Sequence, residues 1–127
     1  MKQALHFGGG SIGIGFIADL LHESDYEVTI VDIDSELVNQ INETATFDLY
    51  LINEDYKKKQ LTQIHALSSI ADQAAIIEKI STADLITTAV WAENLPKIAP
   101  VLLAGLKKRV DKKGKRVNIL ACENAMF

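Results

Sequence analysis

The chain has 127 residues, 48% of them apolar, a net charge of −4 and a single cysteine. That size and apolar content suit one domain with a real core; no apolar run nears the ~20 residues that span a bilayer, and the acidic balance argues against general nucleic-acid binding. The lone Cys122 excludes an internal disulfide, the chain enters a strand almost at once with no leader pattern, and His6, His22 and His65 lack ligand spacing, so a cytoplasmic protein without a metal site is expected.

The first strand covers Ala4–Phe7 and runs straight into Gly8-Gly9-Gly10-Ser11-Ile12-Gly13. A helix from Ser11 to His22 follows, with Ile12, Phe16, Ile17, Leu20 and Leu21 as its buried stripe. Strand, glycines at Gly8, Gly10 and Gly13, then an apolar helix is what a dinucleotide-binding turn requires. One glycine serves the sharp turn, one the close approach to a pyrophosphate and one the packing of helix on strand. The phosphates then meet free N–H groups and the positive end of a helix dipole. A second strand, Val28–Asp32, ends in an acid about twenty residues beyond the glycines. A carboxylate there accepts hydrogen bonds from a ribose and repels a 2′-phosphate, which points to NAD rather than NADP. Asp32 could instead cap the next helix, although Asp34 or Ser35 is better placed for that. That helix spans Ser35–Thr44, with Leu37, Val38 and Ile41 inward.

The pattern then becomes irregular. Phe47–Leu51 alternates apolar with mostly polar residues, Asn53-Glu54-Asp55 reads as a turn, and Gln60–Ala66 pairs back as a second strand. This is a hairpin-like insertion leading into strand three, with Lys57-Lys58-Lys59 exposed at its rim. Ser68 or Ser69 caps a helix over Ala71–Ile80, with Ala74, Ile77 and Ile80 inward. Asp84–Thr88 is strand four, Ala89–Leu95 a loop, and a helix runs from Pro96 or Ile98 to Val110. Val117–Ala121 is strand five. Alternating strands and helices imply a Rossmann-type, doubly wound, mostly parallel α/β sheet in the order 3-2-1-4-5. Its ligand crevice opens at the carboxyl ends of the strands. The glycine turn, Asp32, the loop after Thr88 and the residues after Ala121 converge there.

Several residues carry two readings. Thr87-Thr88-Ala89-Val90 either lines the middle of a cofactor or simply ends a strand. Glu123 and Asn124 are hydrogen-bonding groups for a nicotinamide ribose or carboxamide, or polar strand terminators. Trp91 overhangs the nicotinamide end or packs as an ordinary aromatic. Cys122 reads as a small buried side chain rather than a nucleophile. Lys107–Arg116 holds seven of the thirteen basic residues; it is an anion patch or, more simply, a solvated helix end complementing the dipole.

The run from Ala4 to Phe16 closely resembles the opening of the mannitol-1-phosphate 5-dehydrogenases. So do Asp84–Val90, Ile98-Ala99-Pro100 and Asn118–Asn124, in the family's order along the whole chain. The His6-Phe7 lead-in and the Ala121-Cys122-Glu123-Asn124 exit are more specific than the glycines. The resemblance implies interconversion of mannitol 1-phosphate and fructose 6-phosphate with NAD, in the zinc-independent long-chain polyol dehydrogenase group. It implies a cofactor-binding set of His6, Phe7, Gly8, Gly9, Gly10, Ser11, Ile12, Gly13, Gly15, Asp32, Thr88, Ala89, Val90 and Asn124. The acid/base lysine of that group lies in a mainly helical second domain that this chain does not include, so no catalytic residue is assigned. The sugar phosphate is expected to bind only with that domain, and the chain alone to bind NAD without turnover. Two departures stand out: Ile14 replaces the family's common arginine, and Trp91-Ala92-Glu93-Asn94 replaces an expected glycine–proline pair.

Two other readings share the glycines and the acid. One is an NAD-sensing regulatory module, and the other a sugar-acid reductase of the fructuronate type. The apolar edge at Val117–Leu120 is expected to pair with another chain, giving an edge-strand dimer.

Overall fold

The computed structural model describes residues 1–8, 17–44, 46–51, 57–90 and 92–122, without the side chains of 46–51, 57–61 and 92. Its main sheet is parallel throughout and five-stranded. The strands are β1 (Lys2–Phe7), β2 (Tyr26–Asp32), β5 (Ile64–Ser68), β6 (Leu85–Thr88) and β7 (Asn118–Ala121), in the order β5-β2-β1-β6-β7. This is the expected Rossmann-type order. The helices are α1 (Asp19–Glu23), α2 (Ser35–Thr44), α3 (Gln73–Thr82) and α4 (Leu95–Asp111), the last entered through a short 3-10 turn at Ala92–Asn94.

Strand alternation sends successive side chains to opposite faces, and both faces are covered. Ala4, Val28, Ile30, Ile64 and Ala66 pack with Ile17, Ala18, Leu21, Val38 and Ile41 on the α1/α2 face. Leu5, Phe7, Val31 and Ile86 pack with Ile76, Ile80 and Ala83 on the α3/α4 face. Burying such side chains is worth roughly 1.5–3 kcal/mol each, which makes these two layers the main support of the fold.

The insertion is a separate antiparallel hairpin of β3 (Thr46–Leu51) and β4 (Lys57–Thr62). The proposed turn at 53–55 lies outside the described residues. So does the part of the first helix over 11–16. The expected single strand Gln60–Ala66 is in fact the end of β4 and the start of β5. Gln63 divides it with a left-handed φ of 56°, and that reversal lets the chain leave an antiparallel ladder and enter a parallel one beside β2. Two helix faces also differ in part from expectation. Leu20 is 51% exposed while Ala18 is fully buried, because a wide π-type turn at 17–18 shifts the face entering α1. In α3, Ala74 is exposed and Ile76 is buried. That helix starts two residues late because Ser68 closes a turn of its own: its Oγ accepts from the Ile70 and Ala71 N–H groups, and its N–H donates to Asp72 Oδ2.

The two sheet edges are finished differently. On the β5 edge the Asn42 side chain pairs like another strand, donating to the Ala66 carbonyl at 2.8 Å and accepting from the Ala66 N–H at 2.9 Å. On the far side every residue of β7 is exposed. The basic run after Lys107 is largely structural. Arg109 is buried and donates to the Ile80 and Lys115 carbonyls, while Lys108 and Lys112 both bind Glu78. This pairing holds the Glu78 carboxyl well below its ordinary value, at about 2. Among the described residues no helix is long and apolar enough to cross a membrane.

Candidate functional site

A cleft of about 810 Å³ opens at the carboxyl ends of the strands, on the α3/α4 side. Phe7 and Gly8 of β1, Val31, Asp32 and Ile33 of β2, and Ala89 and Val90 after β6 line its inner wall.

Gly8 sets the closest approach in this wall. Its φ is +111°, a region that L side chains rarely adopt, and a Cβ there would stand 2.4 Å from the Ala89 carbonyl oxygen. The backbones are laced on either side of it. Gly8 N–H donates to the Val31 carbonyl at 2.8 Å, and Ala89 N–H donates to the Phe7 carbonyl at 2.8 Å. Three strand ends are thereby drawn into one continuous backbone surface.

Asp32 is half-buried at the end of β2. It does not cap α2: Asp34 Oδ1 does, accepting from Glu36 N–H at 3.0 Å and Leu37 N–H at 3.3 Å. Asp32 Oδ1 accepts from the Asp34 N–H at 2.8 Å, which fixes the carboxylate's orientation beside the cleft. The cap and the cleft carboxylate are thus two different acids, held two residues apart by an Asx turn.

Of the sequence-predicted set, Phe7, Gly8, Asp32, Ala89 and Val90 come together in the cleft wall. His6 and Thr88 stand behind that wall. His6 is fully buried, and its Nδ1 shares a 2.6 Å hydrogen bond with Thr87 Oγ1. It joins β1 to β6 two residues before Gly8. Thr88 is 2% exposed, and its carbonyl accepts from the Cys122 N–H. Cys122 itself packs against the α1/α2 layer, as a small half-buried side chain would. Gly9, Gly10, Ser11, Ile12, Gly13, Gly15, Trp91, Glu123 and Asn124 lie outside the described residues.

The outer wall was not foreseen. Ser69 and Gln73, from the turn into α3, and Asn94 and Lys97, at the start of α4, face the same cleft. The available signal was positional: both segments follow the carboxyl end of a parallel strand, where ligands bind in such sheets. Asn94 Nδ2 donates to the Val90 carbonyl at 2.7 Å, so it also shapes the loop after β6.

Sequence comparison decides the family. Residues 2–127 match the mannitol dehydrogenase Rossmann domain. The chain belongs to this family. Its relatives include a mannitol-1-phosphate 5-dehydrogenase of Emericella nidulans, 41% identical over 127 residues, covering 99% of this chain and 32% of the relative. Another, with the same name, from Thermoanaerobacter pseudethanolicus, is 42% identical over 127 residues, covering 100% of this chain and 32% of the relative. The chain therefore spans about a third of the length of these curated relatives. Among solved structures, a protein from Burkholderia pseudomallei aligns with a TM-score of 0.51 at 18% identity, over 94% of this chain and 47% of that one. The yeast methylglyoxal/isovaleraldehyde reductase complexed with NADPH aligns at 0.50 and 15% identity, over 94% and 37%. These structural likenesses show the fold. As a dehydrogenase-family Rossmann domain, the chain is built to hold a nucleotide cofactor.

Proposed function

We propose that residues 1–127 form the NAD-binding domain of an oxidoreductase that interconverts mannitol 1-phosphate and fructose 6-phosphate by hydride transfer. The observation that carries this reading is the meeting of Gly8 and Asp32 in one cleft. A backbone bend that excludes any Cβ lies beside a carboxylate held out by its own turn, in a chain of the mannitol dehydrogenase family. The relatives' names supply the substrate pair.

The residues present fit such a cofactor. Gly8 and Ala89 offer unobstructed backbone to the pyrophosphate and its neighbouring sugars. Asp32 accepts the adenosine ribose hydroxyls. Its negative charge makes a 2′-phosphate unfavourable, which is the basis for choosing NAD over NADP. To the phosphates we assign Gly9, Gly10, Ser11, Ile12, Gly13 and Gly15, and to the nicotinamide half Thr88, Val90 and Asn124, on the pattern of the sequence. His6 acts indirectly, by fixing β1 against β6 behind the bend. When bound, the dinucleotide supplies the hydride donor or acceptor at its nicotinamide ring. This chain's part is to hold the dinucleotide at the carboxyl ends of the strands. The sugar-phosphate contacts and the acid/base are assigned to the remaining two-thirds seen in the relatives, so the chain alone binds cofactor without turnover. We assign the protein to the cytoplasm, and the exposed β7 edge to pairing with a second chain.

Calorimetric titration with NAD and NADP tests the reading. The wild type should bind NAD at least roughly tenfold more tightly, since a charged acceptor is worth about 1.5–3 kcal/mol. Asp32→Ala should lose that preference. Equal affinities in the wild type would overturn it.

A further inference from the structure

Among the described residues that line the cleft, one carries a negative charge and one a positive charge: Asp32 and Lys97. Asp32 ends β2 on the inner wall, its carboxylate held by the Asp34 N–H at 2.8 Å. Lys97 stands on the outer wall, in the first turn of α4. Opposite charges in one cleft attract, yet Lys97 pairs with neither Asp32 nor any other described residue. A cleft that keeps its two charges apart suits a ligand that is itself divided, with hydroxyls for the carboxylate and an anion for the ammonium.

The lysine does nothing for its own helix. It is exposed, so it adds little to the core. A cation in the first turn lies at the unfavourable end of the helix dipole, and no acid in that turn offsets it. The lysines near the other end of α4 are placed the opposite way, with Lys108 and Lys112 both bound to Glu78. The first turn of α4 is also tied to the glycine bend. A Cβ at Gly8 would meet the Ala89 carbonyl oxygen at 2.4 Å and Val90 Cγ1 at 3.3 Å. The Val90 carbonyl in turn accepts from Asn94 Nδ2 at 2.7 Å. Asn94 is the N-cap residue of α4, three positions before Lys97. This run of contacts sets Lys97 on the β1–β6 side of the cleft, where Gly8 lies, rather than on the β2 side that carries Asp32.

We infer that Lys97 is a phosphate-binding residue of this cleft, reaching across from α4 to pair with the diphosphate of the dinucleotide as it lies on the Gly8 bend. The inference rests on the dinucleotide reading above. The diphosphate is the only anionic part of NAD, so it is the only group on that ligand an ammonium can neutralise. The backbone at Gly8 offers shape and N–H dipoles but no full charge, and the carboxylate at Asp32 repels an anion. Lys97 supplies the missing positive charge from the facing wall. Its flexible four-carbon stem lets the ammonium follow the phosphates, while Asn94 holds the backbone beneath it in place.

The test is calorimetric titration of the 127-residue chain with NAD at low and high salt, about 0.02 M and about 0.5 M, on wild type, Lys97→Met and Lys97→Arg. Methionine keeps much of the apolar stem and removes the charge. Lys97 is exposed, so the variants should unfold as wild type does. Lys97→Met should bind NAD roughly fivefold more weakly than wild type at low salt, the upper range for a solvent-exposed ion pair. That ratio should shrink toward one at high salt, because screening removes what the lysine contributes. Lys97→Arg should keep most of the wild-type affinity. Equal NAD affinity of wild type and Lys97→Met at low salt overturns the inference, and so does a deficit that is the same at both salt concentrations, which would trace it to packing of the stem. Either result spares the cofactor reading, since wild type still binds NAD. No binding of NAD by wild type overturns both.

Discussion

The seam between β1 and β6 and the outer strand β7 are neighbours in one sheet, one ladder apart, and they are built to different standards. Along the seam Leu5, His6, Phe7, Ile86, Thr87 and Thr88 are all 2% exposed or less, and the two strands close to a spacing that admits only glycine at position 8. On β7 Ile119 is 40% and Leu120 51% exposed, although both sit in a regular parallel ladder with β6. Backbone pairing is therefore not what distinguishes them. Helix cover is: α1 and α2 on one face and α3 and α4 on the other bury the seam. The residues proposed to hold the cofactor follow the same division, with Gly8, Asp32 and Ala89 at the ends of the central strands. A site that must hold backbone atoms in fixed relation to a ligand belongs where neighbours on both sides and both faces prevent adjustment.

The contrast can be broken most severely at Gly8. Gly8→Ala places a Cβ against the Ala89 carbonyl and demands a φ of +111° from an L side chain. Strain and overpacking together should cost about 3 kcal/mol or more in urea denaturation, with dinucleotide affinity lost as well. A variant as stable as wild type would mean that the seam can relax, and the difference between centre and edge would disappear.

The opposite substitution, on β7, should scarcely touch stability. Leu120→Lys puts a charge on an exposed edge and should change unfolding free energy by no more than about 0.5 kcal/mol. Its effect should appear in sedimentation velocity: wild type associates through the edge, and the lysine variant runs as a monomer. A wild type that is monomeric throughout would show that exposure at β7 has no consequence for self-association. The β5 edge is the internal control, because Asn42 already occupies the Ala66 N–H and carbonyl at its middle.

The smallest effect concerns the charge cluster that ties α3 to α4. Glu78 has a folded-state pKa lowered from 4.5 to about 2 by hydrogen bonds from Lys108 and then Lys112. A depressed carboxylate contributes stability above its unfolded pKa and loses it as pH falls through the folded value. The pairs are solvent-exposed, so the contribution is slight. Wild type should lie marginally above Glu78→Gln between pH 5 and 8, and the two unfolding curves should merge near pH 2. A gap that persists at pH 2 would locate the effect in packing.

Much of the architecture was legible in the chain because it rests on short-range rules. A β-rich run before glycines, an acid at the end of the next strand, and Asp34 ahead of a helical stripe each depend on a handful of adjacent residues. The two-sided apolar strands announced a parallel sheet, and its order followed from crossover handedness. What misled was equally local. Gln60–Ala66 reads as one strand because nothing in its composition reveals the left-handed turn at Gln63. The buried faces of α1 and α3 hold at Ile17, Leu21 and Ile80 and fail at Leu20 and Ala74, beside a wide turn in one helix and after a serine-closed loop in the other.

The sequence by itself determined the strands and helices of the main sheet, the acid at the end of β2 and the family. Only the tertiary structure decided that His6 stands behind the cleft wall, that Arg109 is buried between α3 and the segment after α4, and that Gly105 lets α4 pack directly on Ile80 of α3. The physical reason is range. Strand and helix periods, caps and glycine turns are settled by neighbours along the chain, whereas the width of a cleft is set by how closely two helices pack, through contacts between residues far apart in sequence.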